Sequence, residues 1–232
     1  IAYHHDLCPH VEFKMPQYVV MPNSKEELAS IIRLLNHHEI PYVVRGNGAS
    51  AHGLVFSEGV VLDLHRMNTI EFDEKNWLVK AGPGVAAFDL QSAAARRGFR
   101  VHTAEPAALV CANIMTSGLL STFSTTYGIS ADNFIDAEFI ARDGSLFSLN
   151  DMKSPNLFSY QNLIAENEAF AICVSVSMKL HPVTSDERGI LVPFKSLADA
   201  LDFARECSIR HIGLAIGILG EEFISSFIAP TK

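Results

Sequence analysis

A glycine-rich segment caught between two β runs constrains this chain more than any other feature. Pro41-Tyr42-Val43-Val44 reads as a strand and enters Arg45-Gly46-Asn47-Gly48-Ala49-Ser50-Ala51-His52-Gly53. β character then returns directly at Val60-Val61-Leu62-Asp63-Leu64. Gly46 to Ala51 matches the Gly-x-Gly-x-x-Gly/Ala dinucleotide fingerprint, and Asp63 stands roughly where that motif has its ribose-binding acid. A Rossmann glycine turn, however, must open a helix whose N-terminus faces the pyrophosphate. Gly53 and Gly59 interrupt the following stretch and a strand comes next, so the order strand, loop, strand excludes a Rossmann unit. Such a loop can still hold an anion through converging backbone N–H groups, a nest that needs no helix dipole. Each charge-assisted bond of that kind contributes about 1.5–3 kcal/mol. The plain alternative is a surface turn with glycines for backbone freedom.

Two further segments favour the nest. Pro106 to Gly118 is long, weakly polar and free of large charged side chains, the character that close approach of a flat, extended ligand requires. Ala81-Gly82-Pro83-Gly84 adds a tight turn at the end of a strand.

The surrounding pattern is mixed α and β. Tyr18 to Pro22 reads as a strand. Ser24-Lys25-Glu26-Glu27 reads as a capping box opening a helix with Leu28, Ile31, Ile32 and Leu35 on one face and an end near His38. Val60 to Leu64, Thr69 to Phe72 and Trp77 to Lys80 read as strands. A helix is predicted from about Ala86 to Arg97, closed by Gly98. Phe134 to Arg142 and Leu146 to Leu149 read as a hairpin on a type I′ turn at Asp143-Gly144. Cys173 to His181 alternates as a half-buried strand. Pro182 to Arg188 is the best boundary, followed by a strand at Ile190 to Phe194 and an amphipathic helix from Ser196 to about Arg210.

Composition excludes several classes. The 232 residues are 48% hydrophobic and 19% charged, which is a folded chain. A net charge of −8 argues against a general nucleic-acid binder, and no transmembrane helix is readable. Cys8, Cys111, Cys173 and Cys207 are scattered, fitting neither a zinc nor an iron–sulfur ligand set and suggesting a reducing compartment. The sequence opens on Ile1 without a signal-peptide pattern and stops at Pro230-Thr231-Lys232, so it reads as a piece of a longer protein.

Taken in order, Pro22 and its helix, Arg45 to Gly53, Val61-Leu62-Asp63-Leu64-His65-Arg66-Met67-Asn68, Ala81-Gly82-Pro83-Gly84, Pro106 to Gly118, Tyr127-Gly128, Asp143-Gly144 and Lys179-Leu180-His181-Pro182 form a set. This set resembles the FAD-binding domain of the vanillyl-alcohol oxidase / p-cresol methylhydroxylase (PCMH) superfamily, in particular its FAD-linked oxidases of the D-lactate dehydrogenase and glycolate oxidase type. The resemblance runs from about residue 6 to 182. It implies an α+β fold, a PCMH-type FAD-binding domain of two α/β subdomains over residues 1–183. The start of an α+β substrate or cap domain would follow over 184–232, incomplete here.

The same resemblance implies a cofactor-binding set. Val44, Arg45, Gly46, Asn47, Gly48, Ala49, Ser50 and Gly53 would hold the pyrophosphate, with Gly82 at the neighbouring turn. Pro106, Cys111, Ala112, Asn113, Thr116 and Gly118 would line the flavin and ribityl chain, and Ile172 the adenine or ribityl side. FAD would be non-covalent, because covalently flavinylated relatives carry His where this chain has Ala49. The implied reaction is hydride transfer from the α carbon of a small 2-hydroxy acid such as lactate or glycolate to FAD. The base and carboxylate-binding groups are expected outside this sequence, and no catalytic residue is named. Electrons would leave through a redox partner domain or subunit, iron–sulfur or quinone-linked. The expected location is cytoplasmic, peripheral to the inner membrane.

Two departures support a rival of another class, a degenerate flavin-free domain serving as a scaffold or interaction subunit. Cys111-Ala112 replaces a Gly-Gly pair, and Ala165-Glu166-Asn167-Glu168-Ala169-Phe170-Ala171-Ile172 lacks the usual glycines. The cell-wall reductase branch of the superfamily is a weaker reading.

Other candidates carry less. His4, His5, Asp6, Cys8 and His10 lack a repeated ligand spacing, and a packed terminal segment is the simpler reading. His102 reads as a strand-end histidine. Ser50 and Ser117 lack a nucleophile elbow. Asp132, Asp136 and Glu138 read as the wet face of a strand.

Overall fold

The computed structural model describes residues 3, 14–48, 55, 57–103, 108–111, 123–128, 130–151 and 171–228. The metal-like cluster considered at residues 4–10 lies outside them. Among the described residues no His, Cys, Asp or Glu group could hold a metal ion, and no helix is long and apolar enough to cross a membrane.

The first layer is a three-stranded parallel sheet. β1 (Tyr18–Val20) leads into helix α1 (Lys25–His37), then β2 (Tyr42–Arg45) and β3 (Val60–Asp63), in the spatial order β1-β3-β2. Ser24 Oγ caps α1 by accepting from Glu27 N at 3.2 Å. Glu27 reaches one residue further back than a capping box requires, its Oε2 accepting from Asn23 N at 2.7 Å. The α1 stripe of Leu28, Ala29, Ile32 and Leu35 is buried against Val60, Leu62 and Leu64. Burial of such side chains contributes about 1.5–3 kcal/mol each, which is why a short parallel sheet persists here.

The second layer is an antiparallel sheet. β4 (Ile70–Asp73), β5 (Leu78–Ala81), β9 (Ile172–Pro182), β7 (Phe134–Ile140) and β8 (Leu146–Ser148) lie side by side, with β6 (Phe99–Val101) paired to the end of β9. Helix α2 (Ala87–Ala95) buries Ala87, Leu90 and Ala94 in this layer's core, and Gly98 follows it at φ +79°. β9 serves both cores. Ile172 and Val174 join the α1 cluster, whereas Cys173, Val176, Met178 and Leu180 join the α2 cluster. Its partner β7 does the same through Ile140 and Phe139, with a register shift between Glu138 and Phe139. The alternation expected of a half-buried strand is therefore filled in, and residues 172–176 are buried throughout.

Two local expectations change. The β7–β8 turn is not type I′: Asp143 lacks a positive φ, only Gly144 has one (+77°), and Gly144 N donates to Ala141 O at 2.9 Å. That is a type I turn followed by a left-handed glycine, the other common hairpin solution. Ile190–Phe194 forms no strand, because no neighbouring strand completes a ladder. It precedes the helix Leu197–Ile209, whose N-cap Ser196 Oγ accepts from Asp199 N, and none of whose residues is buried. Ile190, Leu191, Leu197, Leu201 and Phe203 are all exposed.

Candidate FAD site

Arg45 ends β2 and faces Asp63 across the parallel ladder. Its side chain is buried and folds back under the loop it opens: a methyl on Gly48, which has φ +66°, would lie 2.4 Å from Arg45 Nη2. A methyl on Gly46 would lie 3.3 Å from Leu109 Cδ1. The two glycines therefore let the backbone close over a guanidinium on one side and press against residues 108–111 on the other. Residues 108–111 are in turn fixed to α2's start, Val110 N donating to Val85 O at 2.8 Å and Ala87 N to Ala108 O at 2.9 Å.

Beside the loop lies a polar network that the sequence reading missed. Asp63, buried at the end of an otherwise apolar strand, accepts from Tyr3 Oη at 2.5 Å, His65 N at 2.9 Å and His65 Nδ1 at 2.5 Å. The other ring nitrogen of His65 contacts Asn47 Oδ1. Arg45 Cζ lies 5.6 Å from the centre of the Tyr3 ring, a cation–π contact. Burial alone would raise the Asp63 pKa, but hydrogen bonds from Tyr3 and from the main chain and ring of His65 outweigh it and hold the carboxyl below its ordinary value. The same bond to Asp63, with burial, raises Tyr3. The one available signal was a carboxylate closing the fully buried run Val60-Val61-Leu62-Asp63.

The expected site residues fall into three groups. Arg45, Gly46, Asn47 and Gly48 form the loop, with Val44 half-buried behind them in the α1 cluster. Cys111 and Ile172 are buried in the two cores, so neither offers its side chain to a ligand. Cys111 makes a thiol contact with Cys173, and burial first, then that contact, pushes its pKa well up. Of the Cys111-Ala112 pair, the Cys111 side chain packs into the core. Gly82 has a packing role: a methyl there would sit 2.3 Å from Met67 O, and its N–H already donates to Thr69 O at 2.9 Å. Ala49, Ser50, Gly53, Pro106, Ala112, Asn113, Thr116 and Gly118 lie outside the described residues, as do Glu166 and Glu168.

A second polar cluster sits at the β6–β9 end. The rings of Tyr127 and His181 stack at 3.9 Å between centroids, His181 Nε2 contacts Asn133 Oδ1 at 2.6 Å, and His102 is fully buried edge-on to Tyr127. Burial lowers the pKa of both histidines; for His181, His102, Lys179 and Arg100 add to the effect. His102 directly follows β6, the strand-end position expected of it, and is fully buried there.

Glycines closing over a buried guanidinium, with Asp63 already committed to Tyr3 and His65, make a donor set suited to an anion. Comparison with known proteins specifies which anion. Residues 16–150 match the FAD binding domain family. The chain belongs to that family. It is a member of the PCMH-type FAD-linked oxidases and binds FAD. It is 26% identical over 205 residues to D-lactate dehydrogenase of Archaeoglobus fulgidus, covering 85% of this chain and 46% of that protein. It is 23% identical over 208 residues to the glycolate oxidase subunit GlcD of Bacillus subtilis, covering 85% and 43%. The crystal structure of 6-hydroxy-D-nicotine oxidase from Arthrobacter nicotinovorans has the same fold, with TM-score 0.64 and 22% identity over 78% of this chain and 40% of that one. The chain spans about half the length of the curated relatives it matches.

Proposed function

We propose that this chain is the cofactor-binding part of an FAD-linked oxidoreductase that oxidises a small 2-hydroxy acid, with FAD held non-covalently. One observation carries the reading: Gly46 and Gly48 close the backbone over the buried Arg45 guanidinium while pressing it against Leu109. The N–H groups of residues 46–48 and the charge beneath them would hold the diphosphate, with Ala49, Ser50 and Gly53 continuing the loop. Gly82, packed against Met67 and Thr69, would sit at the turn beside the cofactor. Pro106 and residues 111–118 would lie along the flavin with their main chain, and Ile172 would close the adenine or ribityl side. FAD, when bound, supplies a two-electron acceptor for a hydride leaving the substrate's α carbon. Ala49 has no side-chain nucleophile, which supports a non-covalent bond at that position.

The substrate class rests on the D-lactate dehydrogenase and glycolate oxidase relatives. We place the domain boundary at 183/184, where β9 ends and burial stops, with the exposed apolar residues 190–203 belonging to a cap domain. The electron acceptor would be an iron–sulfur or quinone-linked partner, and the working location cytoplasmic, peripheral to the inner membrane.

The test begins with the visible spectrum of the purified chain after adding FAD and desalting. Flavin bands should stay with the protein and appear in the filtrate after denaturation. A colourless protein would overturn the cofactor placement, and flavin retained on the denatured polypeptide would overturn the non-covalent reading. D-lactate or glycolate should then bleach the bands of the full-length protein without oxygen; persistence of the bands with every 2-hydroxy acid would remove the substrate class.

A further inference from the structure

We infer that Tyr3 is a positioning residue of the FAD site, giving Asp63 and Arg45 separate partners so that the guanidinium stays beneath the loop 46–48. The inference rests on the placement of the FAD diphosphate on that loop. It comes from two opposite charges buried side by side. Arg45 and Asp63 are register partners at the ends of β2 and β3, so their side chains leave the same face of the sheet, and both are buried. A carboxylate and a guanidinium so placed are natural partners for each other. Tyr3 engages both. Its hydroxyl donates to Asp63 Oδ2 at 2.5 Å, and its ring centre lies 5.6 Å from Arg45 Cζ. Asp63 Oδ1 accepts instead from the main-chain N–H of His65 at 2.9 Å.

A phenol has one hydrogen to give and an ionised carboxylate only accepts, so the direction of the Tyr3–Asp63 bond is fixed. The Tyr3 pKa is raised and that of Asp63 lowered, so donor and charge are both in place at neutral pH. Without the Tyr3 hydroxyl, Oδ2 is a buried, charged acceptor short of a donor, and its register partner is a cation on the same face. Pairing of the two would draw the guanidinium from beneath Gly48, where Nη2 now lies 2.4 Å from the place of a methyl. It would also cancel the charge offered to a diphosphate. The tie reaches across 60 residues of sequence, joining the start of the chain to the loop. By linkage, a diphosphate that holds Arg45 in place strengthens the Tyr3 contacts by the same factor.

The experiment measures FAD affinity of the flavin-free chain by flavin fluorescence at neutral pH, for wild type, Tyr3→Phe, Tyr3→Leu and Tyr3→Phe combined with Asp63→Asn. Amide exchange of the peptides carrying Tyr3 and residues 46–48 is followed with and without FAD. Tyr3→Phe keeps the ring and loses one charge-assisted hydrogen bond, and should bind FAD about tenfold more weakly. Tyr3→Leu loses the ring as well and should bind about threefold more weakly still. FAD should raise protection of the Tyr3 peptide in wild type and not in Tyr3→Leu. Adding Asp63→Asn to Tyr3→Phe should bring affinity back towards wild type, because an amide has no charge to capture Arg45. A merely structural tie gives no such return. Unchanged FAD affinity in a folded Tyr3→Phe, or a loss that Asp63→Asn does not relieve, would overturn the positioning role. A wild type that binds no FAD, with loop protection that falls in Tyr3→Phe and returns with Asp63→Asn, would instead overturn the FAD assignment of the loop and leave the Tyr3 brace standing.

Discussion

Replacing Glu138 with glutamine removes one negative charge and almost no volume, and it addresses a charged contact that ties α1 to the second layer. Glu138 on β7 accepts from Lys25 Nζ at the start of α1 at 2.5 Å, from Lys80 Nζ on β5 at 2.8 Å and from Ser175 Oγ on β9. Burial alone would raise its pKa, but the two lysines and the serine bring it from 4.5 down to about 2. If that whole fall counted, the charge would contribute about 3.4 kcal/mol, at about 1.36 kcal/mol per tenfold change. Lys25 and Lys80 are 29% and 42% exposed, so water screens both pairs and the expected figure is about 1–2 kcal/mol. The sign follows from the depressed pKa: the contribution is present above the unfolded value of 4.5 and is lost as pH falls towards about 2. Urea unfolding of wild type and Glu138→Gln at about pH 7 should therefore differ by about 1–2 kcal/mol, or about 2–8 °C in Tm for a chain this size. The gap should narrow steadily below about pH 4.5. Equal stability near neutrality, or a gap that stays constant into acid, would refute the assignment of Glu138 as the electrostatic tie.

Four other outcomes are expected. Gly84→Ala places a methyl 2.5 Å from Leu64 O and 2.6 Å from His65 O, backbone that cannot yield, and should cost about 1–3 kcal/mol in denaturant unfolding. Gly189→Ala, with nothing within 4 Å, should leave stability unchanged within about 0.5 kcal/mol. Alkylation followed by peptide mapping at about pH 8 should label the half-exposed Cys207 and spare Cys111, whose thiol is buried and raised in pKa, until the chain unfolds. Phe139→Ala, at 0% exposure against Phe147, should cost about 3–5 kcal/mol by thermal or urea unfolding.

Local chemistry made much of this molecule legible in advance. The Ser24 cap, the α1 stripe and the stop at Gly98 rest on interactions within a few residues, and each formed. The glycine loop's place after a strand and before another was equally readable, and that order alone rules out a Rossmann unit. Glu138 shows the limit. Its alternation with apolar neighbours read as a solvated face, whereas three elements from distant parts of the chain converge on it. β9 shows another: period-two patterning assumes one buried face, and a strand shared by two cores violates that assumption.

The sequence by itself determined the local elements, the α+β class and, through its ordered small-residue segments, the FAD binding family. Capping, turn and glycine preferences act over a few residues, and family motifs keep their order along the chain. Only the tertiary structure decided what those segments meet. It folded Arg45 beneath Gly48, sent the Cys111 side chain into the core, and joined Tyr3, Asp63, His65 and Asn47 into one network. Those contacts depend on the register of parallel strands and on which acceptor a proton faces. Both are set by packing between residues far apart in sequence, which no local pattern encodes.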